Sequence, residues 1–175
     1  MDVVEHRYPI GQYTPVSFSP EEKEKLMWEI LFLPRQLEMS ILNLDEHQLN
    51  IPYRDGGWNT RQVVHHVADS HMNAFVRFKL GITEVNPTIK PYNEAAWAET
   101  SDYKMAVNIS LTLLHALHNK WFDVLKNMKD EDFQRTIYHP EHEREITLWE
   151  MLGKYAWHGK HHCAQINSLR ERSKW

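Results

Sequence analysis

The sequence predicts an all-α protein, a four-helix bundle with an extended N-terminal arm and a long crossover between its second and third helices. Three observations predict it. Four long segments place apolar residues at helical spacing, several of them begin with capping motifs, and no convincing pair of strands interrupts them. A chain of 175 residues has the length of one ordinary domain, so we expect a single domain over residues 1–175. An irregular all-α domain is the alternative.

The first 18 residues are expected to form an extended arm, because turn-forming residues interrupt them: Pro9, Gly11 and Pro15. The first helix should begin after Ser19, which can cap its free amides, and should run to about Leu44. Pro34 lies inside this segment. Since proline removes a helical hydrogen bond, we expect it to kink or split the helix.

The second helix should begin at Asn59, where Gln62 completes a box-like capping motif, and should end near Gly81. Its apolar stripe consists of Val63, Val67, Ala74 and Phe78. Residues 81–107 hold two prolines, and their apolar residues do not recur at a regular helical spacing. They are predicted to form the long crossover, with a short helix around residues 94–99.

The third helix is predicted over about 110–128, where leucines and a tryptophan recur at helical spacing. The polar residues 129–146 should form a loop or a short hairpin. The fourth helix should begin after Thr147, with Glu150 completing a capping box, and should run to about Arg170.

The fourth helix carries histidines where apolar core residues are expected. Its inward stripe is Leu148, Met151, Tyr155, His158, His162, Ile166 and Leu169. His158 and His162 are four residues apart, so they lie one turn above the other and can share an ion. Two neutral imidazoles on one helix face are a standard half of a zinc site.

The second helix offers a third ligand. His66 follows Val63 by three residues and lies on the apolar stripe, whereas His65 is rotated away and His71 is a weaker candidate for the same face. The sequence therefore predicts a metal site formed by His66, His158 and His162. A core histidine bonded to a backbone carbonyl is the alternative for His66.

The remaining histidines and the cysteine are predicted to lie outside the site. His161 and Cys163 are turned about 100° to either side of His162. The pair His115 and His118 is expected to be solvated or flanking, because neither is expected to lie on the leucine–tryptophan seam of the third helix. A second pair in the polar loop is expected to serve turn structure, or at most a lid over a pocket: His139 and His142.

Composition excludes several other functions. The net charge is −4 and the basic residues are scattered, so we expect no nucleic-acid partner. No apolar stretch reaches the roughly 18 residues needed to span a membrane, so no membrane partner is expected. The N-terminus does not read as a signal peptide. A single cysteine rules out an internal disulfide and fits a cytoplasmic protein.

Three histidines leave one tetrahedral position open, which is typical of catalytic rather than structural zinc. Two reactions remain open on this chemistry: hydrolysis by a zinc-bound hydroxide, and attack by a zinc-bound thiolate on an electrophile. A third alternative is a non-catalytic binding protein that the metal only stabilises. The glutamate of the zincin motif is absent, since Gly159 and Lys160 follow His158, so a metalloprotease of that type is not expected.

Several segments resemble the DinB/YfiT-like superfamily, and more closely its YfiT group of metal-dependent hydrolases and bacillithiol transferases. The resemblance covers nearly the whole chain and is most specific at residues 52–73. The matching segments are YPIGQY (8–13), PYRDGGW (52–58), RQVVHHVADSHMN (61–73), RFKL (77–80), PY (91–92), YHP (138–140) and WHGKHH (157–162).

The resemblance implies a four-helix bundle and a cytoplasmic homodimer. It implies one metal ion per subunit, Zn²⁺ or alternatively Ni²⁺ or another divalent metal, on His66, His158 and His162. It implies an enzyme that activates a low-molecular-weight, bacillithiol-like thiol for conjugation to electrophilic small molecules. The metal-dependent hydrolase is the alternative.

Three further residues are candidates for supporting roles at such a site. Asp69, three residues after His66, could orient a ligand or the substrate, with a solvent-facing position or a contact to His65 as the alternative. Arg54 and Arg61 flank the start of the second helix. Either could hold a carboxylate of an acidic thiol cofactor, and plain surface charge is the alternative for both.

Overall fold

A computed structural model describes residues 6–175 and confirms the helical bundle. We label the helices α1–α6 and the strands β1 and β2 in chain order. Their bounds are α1 Pro20–Ser40, α2 Glu46–Leu49, α3 Thr60–Thr83, α4 Glu94–Trp97, α5 Asn108–Asn127, β1 Thr136–His139, β2 Arg144–Thr147 and α6 Leu148–Ser173. Two 3₁₀ turns complete the elements, Ser101–Lys104 and Asp130–Gln134.

Four long helices form the bundle. Helix α1 packs against α5 and α6, and α3 packs against the same two helices. Side-chain caps start three of the four as the sequence predicts, with Ser19, Asn59 and Thr147 each accepting a backbone N–H at the beginning of its helix. The caps therefore fix where the site-bearing helices α3 and α6 begin. None of the helices described is long and apolar enough to cross a membrane.

The N-terminal arm lies against α6. Residues 8–19 contain no helix or strand, in agreement with the predicted extended arm. Residues 6 and 7 are helical, which the prediction missed. Residues 1–5 of the predicted arm lie outside the described part of the chain. Trp149 Nε1 donates to the carbonyl of Val16 at 2.7 Å, and the Tyr13 hydroxyl donates to the carbonyl of Glu150 at 3.3 Å. The arm is thus tied to the first turn of α6.

The crossover between α3 and α5 holds the short helix α4, as predicted, and is pinned to a hairpin. Strands β1 and β2 pair antiparallel with Ile137 opposite Ile146, so the segment 129–146 contains the hairpin rather than only a loop. The amide of Ile89 donates to the carbonyl of Tyr138 at 3.0 Å, and the amide of Tyr138 donates to the carbonyl of Pro87 at 3.0 Å. These bonds hold the crossover beside the bundle.

Pro34 does not split the first helix, because α1 runs without a break from Pro20 to Ser40. The prediction of a split is therefore wrong. Proline at position 34 cannot donate to the carbonyl of Ile30. The His118 ring takes that place, with Nδ1 donating to the Ile30 carbonyl at 2.5 Å. A buried histidine on α5 therefore satisfies the backbone group that Pro34 leaves free.

Two apolar clusters fill the bundle, with a layer of histidines between them. One cluster lies toward the hairpin and contains Phe78, Trp121 and Leu152. The other lies toward the opposite end and contains Val67, Leu114 and Ile166. Between them along α3, α5 and α6 lie His71, His118 and His158.

Helix α6 approaches α1 most closely at Gly159. A Cβ built there would lie 2.4 Å from Leu33 Cδ2 and 2.5 Å from Leu33 Cδ1, and the Leu33 side chain is itself buried. We expect Gly159→Ala to destabilise the protein by about 1–3 kcal/mol through overpacking, although alanine is the better helix former. Chemical denaturation would measure the change.

The matched control is Gly153→Ala on the same helix. Its Cβ would meet only the end of the Tyr13 side chain, on the arm. Because that ring can move, at the cost of its hydrogen bond to the Glu150 carbonyl, we expect a smaller loss of stability than for Gly159→Ala. Equal effects of the two substitutions would contradict the close approach of α1 and α6.

Candidate metal centre

Three histidines from two helices converge on one point. Helix α3 supplies His66, and α6 supplies His158 and His162 one turn apart. The Nε2 atom of His158 lies 3.3 Å from Nε2 of His66 and 3.2 Å from Nε2 of His162. One ring nitrogen from each residue lies within 4.8 Å of the other two. The structure thus brings together the three residues that the sequence predicts as ligands.

The spacing of these nitrogens fits a small divalent cation. Zinc–nitrogen bonds of about 2.0–2.1 Å at tetrahedral angles place neighbouring ligand nitrogens roughly 3.3–3.4 Å apart. The observed separations of 3.3 and 3.2 Å match this value. A zinc ion held by these three residues would keep a position for water or a substrate atom.

The three rings are neutral, which is the form that binds a metal. Burial lowers the pKa of His66 to about 4. Burial, followed by the neighbouring imidazoles, also lowers the pKa values of His158 and His162 well below the ordinary value. Protons therefore do not compete for these nitrogens near neutral pH.

Gln165 orients the His162 ring. Its amide Nε2 donates to the carbonyl of Arg7 at 3.0 Å, and a carbonyl can only accept. Oε1 of Gln165 must then be the atom 2.9 Å from His162 Nδ1, so that nitrogen carries the proton and donates. His162 Nε2 is then unprotonated, with its lone pair facing the other two histidines. This is the tautomer that a metal needs.

His161 lies beside the cluster without joining it. As the sequence predicts, its ring points away from the three converging nitrogens, and its Nε2 accepts from the Gln165 amide at 2.9 Å. The Trp157 ring stacks on it at 4.6 Å, and Tyr8 of the arm lies 5.6 Å away. Cys163 is buried on the other side of α6, where desolvation raises the pKa of its thiol to about 12.

Sequence reasoning underrated two buried histidines. His71 is completely buried, and its Nε2 lies 3.2 Å from Nδ1 of the ligand candidate His158. The prediction that His118 is solvated or flanking is wrong, because its ring is also completely buried and stacks on His71 at 5.0 Å. Its spacing was informative, since Leu114, His118 and Trp121 follow steps of four and three. His115 remains half exposed near Glu38.

Two of the predicted supporting residues lie elsewhere. The Arg61 guanidinium is buried against the Glu46 carboxylate at 2.5 Å and the Met105 carbonyl at 3.0 Å, which argues against a role in holding a thiol's carboxylate. Asp69 Oδ2 accepts from the Tyr103 hydroxyl at 2.8 Å and contacts none of the three converging histidines. Asp69 does not bond His65 either, whose ring faces Ser110 and the Met105 carbonyl.

A cavity of about 380 Å³ opens over the three histidines. We call it the metal cavity. Residues from five parts of the chain line it: the arm, the loop before α3, α3 itself, α4 and α6. They include Tyr8, Arg54, Trp58 and Glu94. The predicted candidate Arg54 therefore faces the site, and its guanidinium bonds the Tyr53 hydroxyl and the Asp55 carbonyl rather than a carboxylate. Glu94, which sequence reasoning missed, is the sole carboxylate among the described residues of this wall.

A second cavity, of about 630 Å³, adjoins the first. We call it the side cavity. It shares His158 and Glu94 with the metal cavity and is otherwise lined by polar groups that include Arg77, Lys154 and Tyr92. His139, at the end of β1, and His142, in the hairpin turn, stack their rings at 4.2 Å and form part of its wall. The turn position of this pair agrees with the prediction of a role in turn structure, and a lid over the pocket stays a prediction.

Comparison with known proteins places the chain in a family. A model of the DinB superfamily matches residues 30–166. A relative from Bacillus mycoides (strain KBAB4) is 52% identical over 170 residues, covering 97% of this chain and 98% of the relative. A relative from Bacillus cereus (strain 03BB102) is 51% identical with the same coverage. Both carry the name "Putative metal-dependent hydrolase".

A solved structure agrees over nearly the whole chain. YfiT from Bacillus subtilis matches with a TM-score of 0.95 and 46% sequence identity, covering 98% of this chain and 99% of that one. It is described as "a probable metal-dependent hydrolase with an unusual four-helix bundle topology". With the predicted fold and the converging histidines, these matches show that the chain belongs to the DinB superfamily, within its YfiT group.

Proposed function

We propose that the protein is a zinc-dependent S-transferase that joins a low-molecular-weight, bacillithiol-like thiol to an electrophilic small molecule. The observation that carries the proposal is the pair of cavities meeting at His158 and Glu94. A transfer reaction needs two substrates side by side, and each cavity is large enough for part of a small molecule. Hydrolysis needs a single organic substrate and a water molecule.

The metal cavity is the proposed thiol site. His66, His158 and His162 would hold the metal, which when bound supplies the positive charge that keeps a thiol deprotonated near neutral pH. Arg54 on the same wall could bind an acidic group of the thiol, because a guanidinium makes paired bonds to carboxylates. The ring of Trp58 lies 4.5 Å from the His66 ring and shields this proposed metal ligand from water.

The side cavity is the proposed electrophile site. In the transfer, the thiol sulfur forms a bond to the electrophilic carbon while the bond from that carbon to its leaving group breaks. The thiol proton first passes to a nearby base and then to the leaving group, which departs as its conjugate acid. Glu94 lies between the two cavities, and partial desolvation there raises the pKa of its carboxyl group. It is therefore placed to accept the proton near the reacting atoms.

Hydrolysis is the second candidate function. The relatives' names favour it, and the same three ligands with Glu94 nearby suit activation of water. The two candidates differ in whether turnover requires a thiol.

Paired assays on zinc-loaded protein test the proposal. We expect conjugation of a small thiol to a generic electrophile, and we expect His158→Ala to abolish it because the shared ligand is lost. Arg54→Gln, which leaves the histidines intact, should raise KM for an acidic thiol more than KM for an uncharged one. Hydrolysis of an activated ester without thiol would replace the proposal with the hydrolase. Stabilisation by metal without either turnover would indicate the non-catalytic binding protein.

The homodimer and the cytoplasmic location remain predictions. Light scattering on purified protein tests the first, and cell fractionation tests the second. Metal analysis after purification, beside alanine variants of the three histidines, tests the identity of the metal and the assignment of its ligands.

A further inference from the structure

The side chain of His71 is placed against the metal ligand candidate His158 from the protein interior. It is completely buried, and its Nε2 lies 3.2 Å from Nδ1 of His158, on the opposite side of that ring from the converging nitrogens. The rings of His118, Tyr155 and Trp121 surround it at 5.0, 5.3 and 6.0 Å. His71 therefore has no room to turn toward solvent.

A histidine that binds metal through Nε2 carries its proton on Nδ1. That N–H needs an acceptor, because leaving a buried donor without one costs about 1–3 kcal/mol. For His162 the acceptor is Gln165 Oε1, at 2.9 Å. For His158 the acceptor at hydrogen-bond distance among the described residues is His71 Nε2.

We propose that His71 is a positioning residue, whose Nε2 accepts the Nδ1–H of His158 and thereby aims His158 Nε2 at the metal. The inference rests on the metal site of the proposed function, and it does not depend on whether the reaction is transfer or hydrolysis. Two of the three ligands would then be held by buried acceptors from different elements, His162 by α6 itself and His158 by α3.

Simple packing does not explain His71 equally well. Its own Nδ1 has no hydrogen-bond partner although it is buried, so the imidazole is an expensive way to fill this space. An apolar side chain of similar volume would fill it without that cost. The hydrogen bond to His158 supplies the reason for a polar ring at this position.

The test is a pair of isosteric variants, His71→Gln and His71→Met. Glutamine offers a side-chain oxygen that can accept from an imidazole, as Gln165 already does, whereas methionine has about the same shape without it. We expect His71→Met to weaken zinc binding about 10- to 100-fold, and His71→Gln to recover most of the loss. Competition with a chelator of known affinity measures both, and thermal unfolding checks that both variants fold.

His118→Met is the matched control for packing. His118 is equally buried and stacks on His71, but none of its nitrogens bonds a ligand candidate. We expect it to lower thermal stability without a comparable loss of zinc affinity. If His118→Met weakens zinc binding as much as His71→Met, or if His71→Met binds zinc like the wild type, the inference is wrong.

A proton NMR spectrum of the zinc-loaded protein supplies a measurement that a purely packing role of His71 would not affect. The Nδ1–H of His158 should give a slowly exchanging low-field resonance in the wild type that is lost in His71→Met. Intact zinc binding without thiol transfer would refute the proposed function and leave this inference standing. Unchanged zinc affinity in His71→Met would refute this inference and leave the proposed function standing. A wild-type protein that binds no zinc would overturn both.

Discussion

Lowering the pH from 7 to 4 should unfold the metal-free protein. Burial lowers the pKa of both His66 and His118 from 6.5 to about 4, and both side chains are almost completely inaccessible to water. In the unfolded chain these groups bind protons near pH 6.5, whereas the folded protein takes them up only near pH 4. The unfolded state therefore holds more protons throughout this window, and acid favours it.

The size of the effect follows from the shifts. A pKa lowered from 6.5 to about 4 is worth roughly 3 kcal/mol for one group. The two groups together reach about 6 kcal/mol, which is comparable with the whole stability of an ordinary domain, about 5–15 kcal/mol. The pKa values of His71, His158 and His162 are lowered in the same direction by burial. The stability these groups contribute is fully present above pH 6.5 and is lost as the pH falls to 4.

Urea titrations at a series of pH values measure the loss. We expect His118→Gln to reduce the slope of unfolding free energy against pH by up to about 1.4 kcal/mol per unit, the contribution of one proton. His115→Gln, on the half-exposed side of the same helix, removes no buried imidazole. Its unfolding free energy should fall with acid pH as steeply as that of the wild type. A stability profile that is flat between pH 6.5 and 4 would contradict the neutral, buried histidine layer.

The His162→Ala variant should lose at least about tenfold in metal affinity, since tenfold or more is lost even when only a group supporting a ligand is removed. The substitution takes away one of three converging nitrogens and leaves Gln165 Oε1 without its donor. Isothermal titration with zinc, supported by metal analysis of the purified protein, measures the loss.

His161→Ala is the control, one residue away on the same helix. Its ring is buried and touches Gln165, but it contributes no nitrogen to the cluster. Gln165 keeps its bond to the Arg7 carbonyl in this variant, so His162 should stay oriented and the affinity should change much less. Unchanged metal content in His162→Ala would refute the proposed site.

The helices that carry the site could be predicted because the signals for them are local. Capping residues and a 3.6-residue period identified α3 and α6, and the same period placed His66, His158 and His162 on inward faces. The end of α1 was predicted four residues too late. Asn43 adopts a left-handed conformation with φ of 63°, and Asp45 with Gln48 then caps the short helix α2, a motif that the sequence displays and the prediction missed.

The surroundings of the histidines could not be predicted in the same way. The walls of the metal cavity come from segments far apart in the chain, such as Tyr8 and Glu94, and no periodic pattern relates them. His118 was misplaced because its partner is a carbonyl on another helix, freed by Pro34. Predicting that contact requires the packing of α1 on α5, which neither segment encodes alone.

His158 and Glu94 belong to the walls of both cavities, so ligands bound in the two cavities would contact the same two side chains. If the protein is the proposed transferase, this layout favours a ternary complex, in which both substrates are present before any bond changes. A ping-pong route through a modified enzyme would need a nucleophile to carry the group between half-reactions. The chain's only cysteine, Cys163, is buried and lines neither cavity, so it cannot act as that carrier.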